Sequence, residues 1–441
     1  LRWGHIGPIG FKNFSKSAMP NTSVDYTAPI TAADGTPLKK KLRQALFRSR
    51  VRALGLVVPL LILIIMAFLI PIVMFLGRGV LEPKSDSFST YMLNVSPILQ
   101  EWDGNTPPTE AMYAALVADL VKTRADKTIG KVATRINREL SGTRSLFTSS
   151  GRKAKSLQAP FSESLPALKK KWGNIETWRA MKVVSKRFTM AYLASAVDLK
   201  VNYDGSVQRK GEDRQIHMKL LGRTLQISII VTIMGVILGY PIAFLLSTLS
   251  VRTSNLLLIL VLLPFWTSLL VRTTAWIAVL QGQGVLNDLF VVFGLATDDD
   301  RFSLIYNKTG TLISMTHILL PFMVLPLYSV MKTIPPTYVR AAKSMGATPW
   351  TAFWRVYFPQ SIPGIGAGGI LVFILAISFY ITPALVGGQS GTMISNIIDF
   401  HMRSSLNWSL AAALGFVLLV IVLFLYWLYD RIVGIDNMKL G

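Results

Sequence analysis

The chain has 441 residues, of which 51% are hydrophobic and only 16% charged, and its mean hydropathy is +0.46. Its charge is lopsided, with 46 Lys and Arg against 23 Asp and Glu, a formal net charge of +23. The lack of cysteine excludes disulfides, thiolate metal sites and cysteine nucleophiles, and four scattered histidines offer no ligand pair at helical spacing, so no metal site is expected. In so apolar a chain a basic balance points to loops beside anionic headgroups rather than to nucleic acid.

Residues 1–37 are rich in Gly, Pro, Ser and Thr and are expected to be disordered, as the start of a basic cytoplasmic tail over 1–53. The chain begins at Leu1, so Met19 or a non-standard initiation codon is the expected start. No apolar stretch follows early enough for a signal peptide. A run of about 20 apolar residues crosses a bilayer as a helix. Six segments qualify: 54–76, 224–248, 256–280, 311–332, 362–386 and 408–430. The fold class is therefore an all-α membrane protein.

Orientation follows from Lys and Arg in the short flanks. KKKLRQALFRSRVR at 39–52 precedes the first span and places the N-terminus in the cytoplasm. Six crossings return the C-terminus there. Arg252 then lies in an inner loop, as do Arg340, Lys343 and Arg355 in the loop 333–361, while Asp298, Asp299 and Asp300 lie outside. Residues 77–214 fall outside between the first two spans and are basic, which the rule allows because long domains translocate regardless of charge. Met112, Leu116 and Leu120 after Pro107-Pro108, and a second stretch near 174–197, predict a mostly helical inserted domain. The core over 215–441 is punctuated by Gly239-Tyr240-Pro241, Pro264, Pro321, Pro326 and Pro383, which suits a transporter better than an anchor.

The loop between the fourth and fifth spans reads RAAKSMGATPWTAFWRVYFP at 340–359. Pro335-Pro336 suits a helix start, and Gly346 suits the C′ position where φ is positive. Thr348 can cap a second helix that Pro349 opens and Pro359 is expected to stop. Trp350, Phe353, Trp354 and Tyr357 at i, i+3, i+4 and i+7 predict one aromatic face. Ala341 and Ala342 leave room for another surface to approach closely.

This stretch resembles the cytoplasmic loop of permease subunits of binding-protein-dependent ABC importers. The family pattern is Glu-Ala-Ala, three residues, Gly, then about nine residues to hydrophobic-Leu-Pro. Here Arg340 stands where the family usually has Glu, while Ala341, Ala342, Gly346, Phe353 and Pro359 fall at matching offsets. LLPFWTSLLVRTTAWIAVL at 262–280, the Gly-Tyr-Pro at 239–241, ITPALVGG at 381–388 and NWSLAAALGFVLL at 407–419 are similar to spermidine/putrescine-type permeases. The resemblance covers 54–76 and 215–441 and leaves the insertion unassigned. It implies a type I importer permease fold in the inner membrane. It also implies a second permease, two cytoplasmic ATPase subunits and a periplasmic solute-binding protein as partners, with the lipid bilayer around them. The coupling residues would be Arg340, Ala341, Ala342, Gly346, Trp350, Phe353 and Pro359.

No catalytic residue or cofactor is expected. There is no phosphate loop, and Gly-Gly-Gln-Ser-Gly at 387–391, although it recurs in part in ATPase signatures, is read as a turn near an external gate. Arg272 is the one strong charge inside an expected span and is read as a translocation-path residue or a structural one. Trp266 and Trp276 on either side of it could stack on a cationic substrate or sit in the interfacial aromatic belt, and Tyr240 is a further path candidate. His317 is read as an interhelical hydrogen-bond partner. No carboxylate is visible inside the spans; Asp288 and Asp399 lie near their outer ends. The alternatives are an ion-gradient-driven transporter, which should show carboxylates within the spans and inverted repeats, and a membrane-anchored receptor, which leaves 340–359 unexplained.

Overall fold

A computed structural model describes residues 38–202 and 206–433. The expectations for residues 1–37 and for the last residues lie outside the described ones. The described chain is almost all helix, with one short antiparallel pair, Leu199–Val201 against Val207–Arg209. Among the described residues six helices are long and apolar enough to cross a membrane: Ser49–Gly77, His217–Thr248, Leu269–Val292, Lys308–Thr333, Pro349–Ser378 and Trp408–Arg431.

Two compact units divide the chain at Pro71. The first holds the helix Leu38–Ile64 and a π turn at Ile65–Leu69. The described residues from Ile72 onward lie in the second unit.

Two spans differ from expectation. The stretch 256–280 is not one helix: Val251–Leu262 runs into a 3-10 turn at Leu263–Trp266, and a new helix starts at Leu269. Pro264 lacks a backbone donor, and the Ser268 hydroxyl accepts the Val271 N–H at 3.2 Å to cap the new helix. The candidate crossing segment is Leu269–Val292, itself two helices, Leu269–Leu280 and Val285–Val292, joined by a turn at 281–284. The fifth span was expected at 362–386, after a stop at Pro359. Instead the helix runs unbroken from Pro349 to Ser378, through a π turn at Phe353–Tyr357, and Pro359 sits in the first turn after it.

The same device recurs at Pro71, which follows the π turn at Ile65–Leu69 by two residues. A proline ring presses on the carbonyl four residues back in a regular α-turn. Those carbonyls, of Ala67 and Arg355, lie inside the two π turns. The wider turn accommodates the ring without ending the helix.

The bundle centres on His217–Thr248, Lys308–Thr333 and Phe358–Ser378. Their core holds Ile227, Val231, Ala243, Leu246, Met315, Leu319, Met323, Val324, Leu327, Val372 and Ala376. Lipid tails are as apolar as these side chains, so close packing rather than water exclusion must hold the helices together. Small residues provide it. A Cβ added at Gly368 would stand 2.8 Å from Met323 Sδ and 3.1 Å from its carbonyl oxygen, and one at Gly239 would stand 3.0 Å from Met323 Cγ.

The insertion has its own core, built on Trp172, Trp178, Phe88, Phe147 and Tyr113. Several of its buried polar groups are paired, while Ser96 Oγ, Ser164 Oγ and Arg187 Nε have no hydrogen-bond partner among the described residues. Trp172 Nε1 donates to Ser150 Oγ at 2.8 Å, and Trp178 Nε1 donates to the Trp172 carbonyl at 2.8 Å. The buried Asp119 carboxylate accepts from Asn94 N at 3.0 Å and Val95 N at 2.9 Å, capping Val95–Glu101. The domain is rooted on the bundle. Tyr192 and Ala196 pack with Leu220, Leu221, Ile394, Ala413 and Leu414. Asp198 caps the second span, accepting from Met218 N at 2.8 Å. Glu82, fully buried, pairs with Arg135 and accepts from Tyr192 OH at 2.9 Å.

Gly368→Val should lower the unfolding temperature of the detergent-solubilised protein, an overpacking loss of about 1–3 kcal/mol. Protease resistance of the insertion should not change, because its core is separate.

Candidate functional site

The segment between the fourth and fifth spans forms a two-helix elbow. Helix Pro336–Ser344 ends in paired bonds: Ala347 N donates to Ala342 O at 3.1 Å, and Gly346 N donates to Lys343 O at 3.0 Å. This Schellman closure needs a left-handed residue at C′, and Gly346 supplies it at φ +89°. A side chain there would meet no neighbour, so the requirement is purely conformational. The Thr348 hydroxyl then accepts the Thr351 N–H at 3.2 Å and opens the second helix.

The four aromatics do not share one face. Tyr357 is buried and Phe353 half-buried, while Trp350 and Trp354 are 72% and 44% exposed. The π turn breaks the 3.6-residue spacing on which a single face depends. The inner pair meets the end of the second span. Phe244 lies edge-on to Phe353 and Tyr357, at centroid distances of 5.7 and 5.2 Å, and Ser247 Oγ is 3.2 Å from Tyr357 OH. The outer pair meet edge-on, with ring centroids 5.6 Å apart.

Two hollows flank the elbow. One of about 700 Å³ is walled by Phe244, Phe353 and Tyr357 and carries Lys332, Arg340 and Lys343, with no acid in its lining. The other is shallow, floored by Ala341 and Ala342 beside Tyr338, Met345, Val356 and Gln360. No Asp or Glu occurs between Asp300 and Asp399. The elbow surface is therefore cationic and aromatic.

The translocation-path candidates divide. Tyr240 joins the elbow: its hydroxyl is 3.0 Å from Ser361 Oγ, and its ring lies 6.2 Å from Phe353 and 5.7 Å from Phe358. Trp266 projects outward, 87% exposed. Arg272 and Trp276 share one helix, Leu269–Leu280. The Arg272 guanidinium stands 5.9 Å from the Phe265 ring, and its Nε has no hydrogen-bond partner among the described residues. Trp276 Nε1 donates to His317 Nδ1 at 3.2 Å, which fits the interhelical bond expected of His317 and could not be paired from sequence. The turn at 387–391 is not a free loop. Lys308 N donates to Ser390 Oγ at 3.1 Å, and Arg223 donates to the Gln389 carbonyl at 2.6 Å.

A family described as "Binding-protein-dependent transport system inner membrane component" matches residues 231–433. The spermidine/putrescine transport system permease protein PotB of Haemophilus influenzae is 32% identical over 224 residues, which is 51% of this chain and 78% of that protein. The inner membrane ABC transporter permease protein YdcU of Escherichia coli is 32% identical over 210 residues, 45% of this chain and 67% of that protein. Among solved structures, a bacterial ABC transporter involved in import of the acidic polysaccharide alginate shares 21% identity over 51% of this chain and 81% of that chain, with a TM-score of 0.41.

The buried and exposed aromatics should separate by mutation. Phe353→Ala should destabilise the detergent-solubilised protein by about 1–3 kcal/mol, below the range for a fully buried ring because Phe353 is half-buried. Trp350→Ala, at the surface, should change stability by less than about 0.5 kcal/mol in the same thermal melt.

Proposed function

The chain belongs to the binding-protein-dependent transport-system inner-membrane components, and we propose that its elbow over 336–357 is where movement from an ATP-driven motor enters the bundle. As a multi-pass inner-membrane permease subunit of an ABC importer it has no ATPase site of its own. This membership displaces the gradient-driven and receptor alternatives.

One observation carries the coupling reading. The elbow presents Trp350 to solvent while Phe353 and Tyr357, on the same helix, clasp the end of the second span. A push on the outer face is thus delivered to two spans at once, as a lever. In this reading the elbow and both termini are cytoplasmic, and the basic insertion faces the periplasm. Arg340, Ala341, Ala342, Gly346, Trp350, Phe353 and Pro359 form or shape the contact with two ATPase subunits. A second permease completes the type I fold and the path between subunits. A periplasmic binding protein delivers the solute, ATP closes the ATPase pair, and the elbow transmits that closure to the spans.

Arg340 and Lys343 line the elbow hollow without an acid beside them, so the ATPase surface that seats there carries carboxylates. Arg272 and Trp276 lie along the path, while Tyr240 belongs to the elbow. The solute is a small polyamine-like organic molecule. The similarity to PotB supports that class, and in such systems selection rests with the binding protein.

Gly346→Val tests the coupling. A β-branched residue resists φ +89°, so the turn must rearrange while the spans stay intact. The complex should still assemble in the membrane, and ATP hydrolysis stimulated by loaded binding protein should fall at least about tenfold, a loss of about 1.4 kcal/mol of coupling. Unchanged stimulation would overturn the reading. For the solute, uptake of labelled putrescine by proteoliposomes of the full complex should be competed by spermidine; no uptake above an ATP-free control rejects the polyamine class while leaving the coupling result untouched.

A further inference from the structure

The inserted domain holds a cavity of about 600 Å³ that the transport reading does not use. Arg179, Lys182 and Lys186 line one wall, on and just beyond the helix Ile175–Ser185. Arg179 Nε donates to the Gly104 carbonyl at 2.7 Å and Nη2 to Asn105 Oδ1 at 3.1 Å, and Lys182 Nζ donates to the Trp102 carbonyl. These bonds fix the loop 102–106 as the facing wall. Lys186 has no hydrogen-bond or ion-pair partner among the described residues. Asp103 is the one acid in the lining, and its carboxylate already accepts from Asn105 N, Thr106 N and Thr106 Oγ at 3.0, 3.1 and 2.8 Å. Three cations thus face one carboxylate that is turned to its own loop.

The rim of the cavity is apolar. Phe188 and Met190 line it and are 61% and 53% exposed, and Leu81, bridged to Phe188, is 51% exposed. This rim lies where the chain leaves the first span. Leu81 N donates to the carbonyl of Gly77, the last residue of that span, at 2.8 Å. Thr189 N donates to Val80 O at 2.9 Å, and Glu82 N donates to Arg187 O at 2.9 Å. Arg78 sits 5.7 Å from the ring of Trp408, the first residue of the last span. The rim is thus joined by backbone hydrogen bonds to the segment that leaves the first span, beside the first residue of the last.

We propose that this cavity binds the phosphodiester headgroup of an anionic phospholipid, with Lys186 as its free cationic contact and the acyl chains leaving over Phe188, Met190 and Leu81. A cation-lined hollow gives the charge match for a headgroup, and an exposed apolar rim at a span end gives the chains their exit. An acidic protein surface needs the first feature and has no use for the second.

Native mass spectrometry of the full chain in detergent, titrated with phosphatidylglycerol or phosphatidylcholine, tests this. The wild type should retain one more phosphatidylglycerol per chain than Lys186→Glu does, with retention at that site falling at least tenfold. Phe188→Ser should weaken retention in the same direction. Lys153→Glu, an equal charge change on an exposed residue outside the cavity, should retain as the wild type does. Equal phosphatidylglycerol retention by wild type and Lys186→Glu overturns the proposal. So does equal retention of phosphatidylcholine, or displacement of the lipid by millimolar inorganic phosphate, which would make the site a free-anion site. Unchanged lipid retention with lost capture of the cognate binding protein would assign the cavity to an acidic protein instead.

Discussion

The ring of Pro359 and the carbonyl of Arg355 cannot share a regular α-turn. Much of the molecule follows from how that clash is resolved. A break would have left the elbow a separate surface helix, free to swing on a hinge. The π turn at Phe353–Tyr357 widens the backbone instead, and one helix runs from Pro349 through Ser378. The same turn rotates the side chains. It sends Phe353 and Tyr357 inward to Phe244 and leaves Trp350 and Trp354 outside. Continuity and rotation together make the elbow a stiff arm with an exposed outer face and an inner contact.

In the proposed coupling role, a stiff arm is useful only if the bundle behind it is also stiff. Here the close approach of helices at Met323 matters. Gly368 and Gly239 leave so little space beside that side chain that the three central helices cannot slide independently without opening voids. Interiors packed to this density pass a displacement on as a rigid shift. Gly364, one turn nearer the elbow than Gly368, packs in the same way against Leu327 and Val330. The seam thus runs from the membrane interior toward the elbow on one face of the fifth span.

Much of this was legible in the sequence because the signals are local. Span existence follows from apolar runs, the elbow from Pro336, Gly346 and Thr348, and the insertion's helices from the spacing of Met112, Leu116 and Leu120. What was missed depends on partners or on backbone compromise. Pro359 reads as a stop because sequence rules treat the α-turn as rigid. The aromatic quartet reads as one face because 3.6-residue spacing was assumed through a π turn. The Tyr240 hydroxyl meets Ser361, 121 positions away. No local pattern announces such a pairing. The same holds for Trp276 and His317, and for the cavity of the insertion, whose walls come from segments some 75 residues apart.

The helix His217–Thr248 ties the two ends of the second unit together. Its first turn is capped by Asp198 of the insertion, whose Oδ2 accepts from Met218 N. Its last turns hold Phe244 and Ser247 against the elbow. At 32 residues and 1.5 Å per residue it is about 48 Å long. Pro241 lies inside it without ending it, and Tyr240 beside that proline touches the elbow rings. A movement at the elbow therefore reaches the root of the insertion through one helix, with no loop between to absorb it. The buried Glu82–Arg135 pair and the Tyr192 bond that holds it sit at that root. Separating such a pair leaves an uncompensated buried charge. The insertion is thus held to the second span rather than left free to shear away from it.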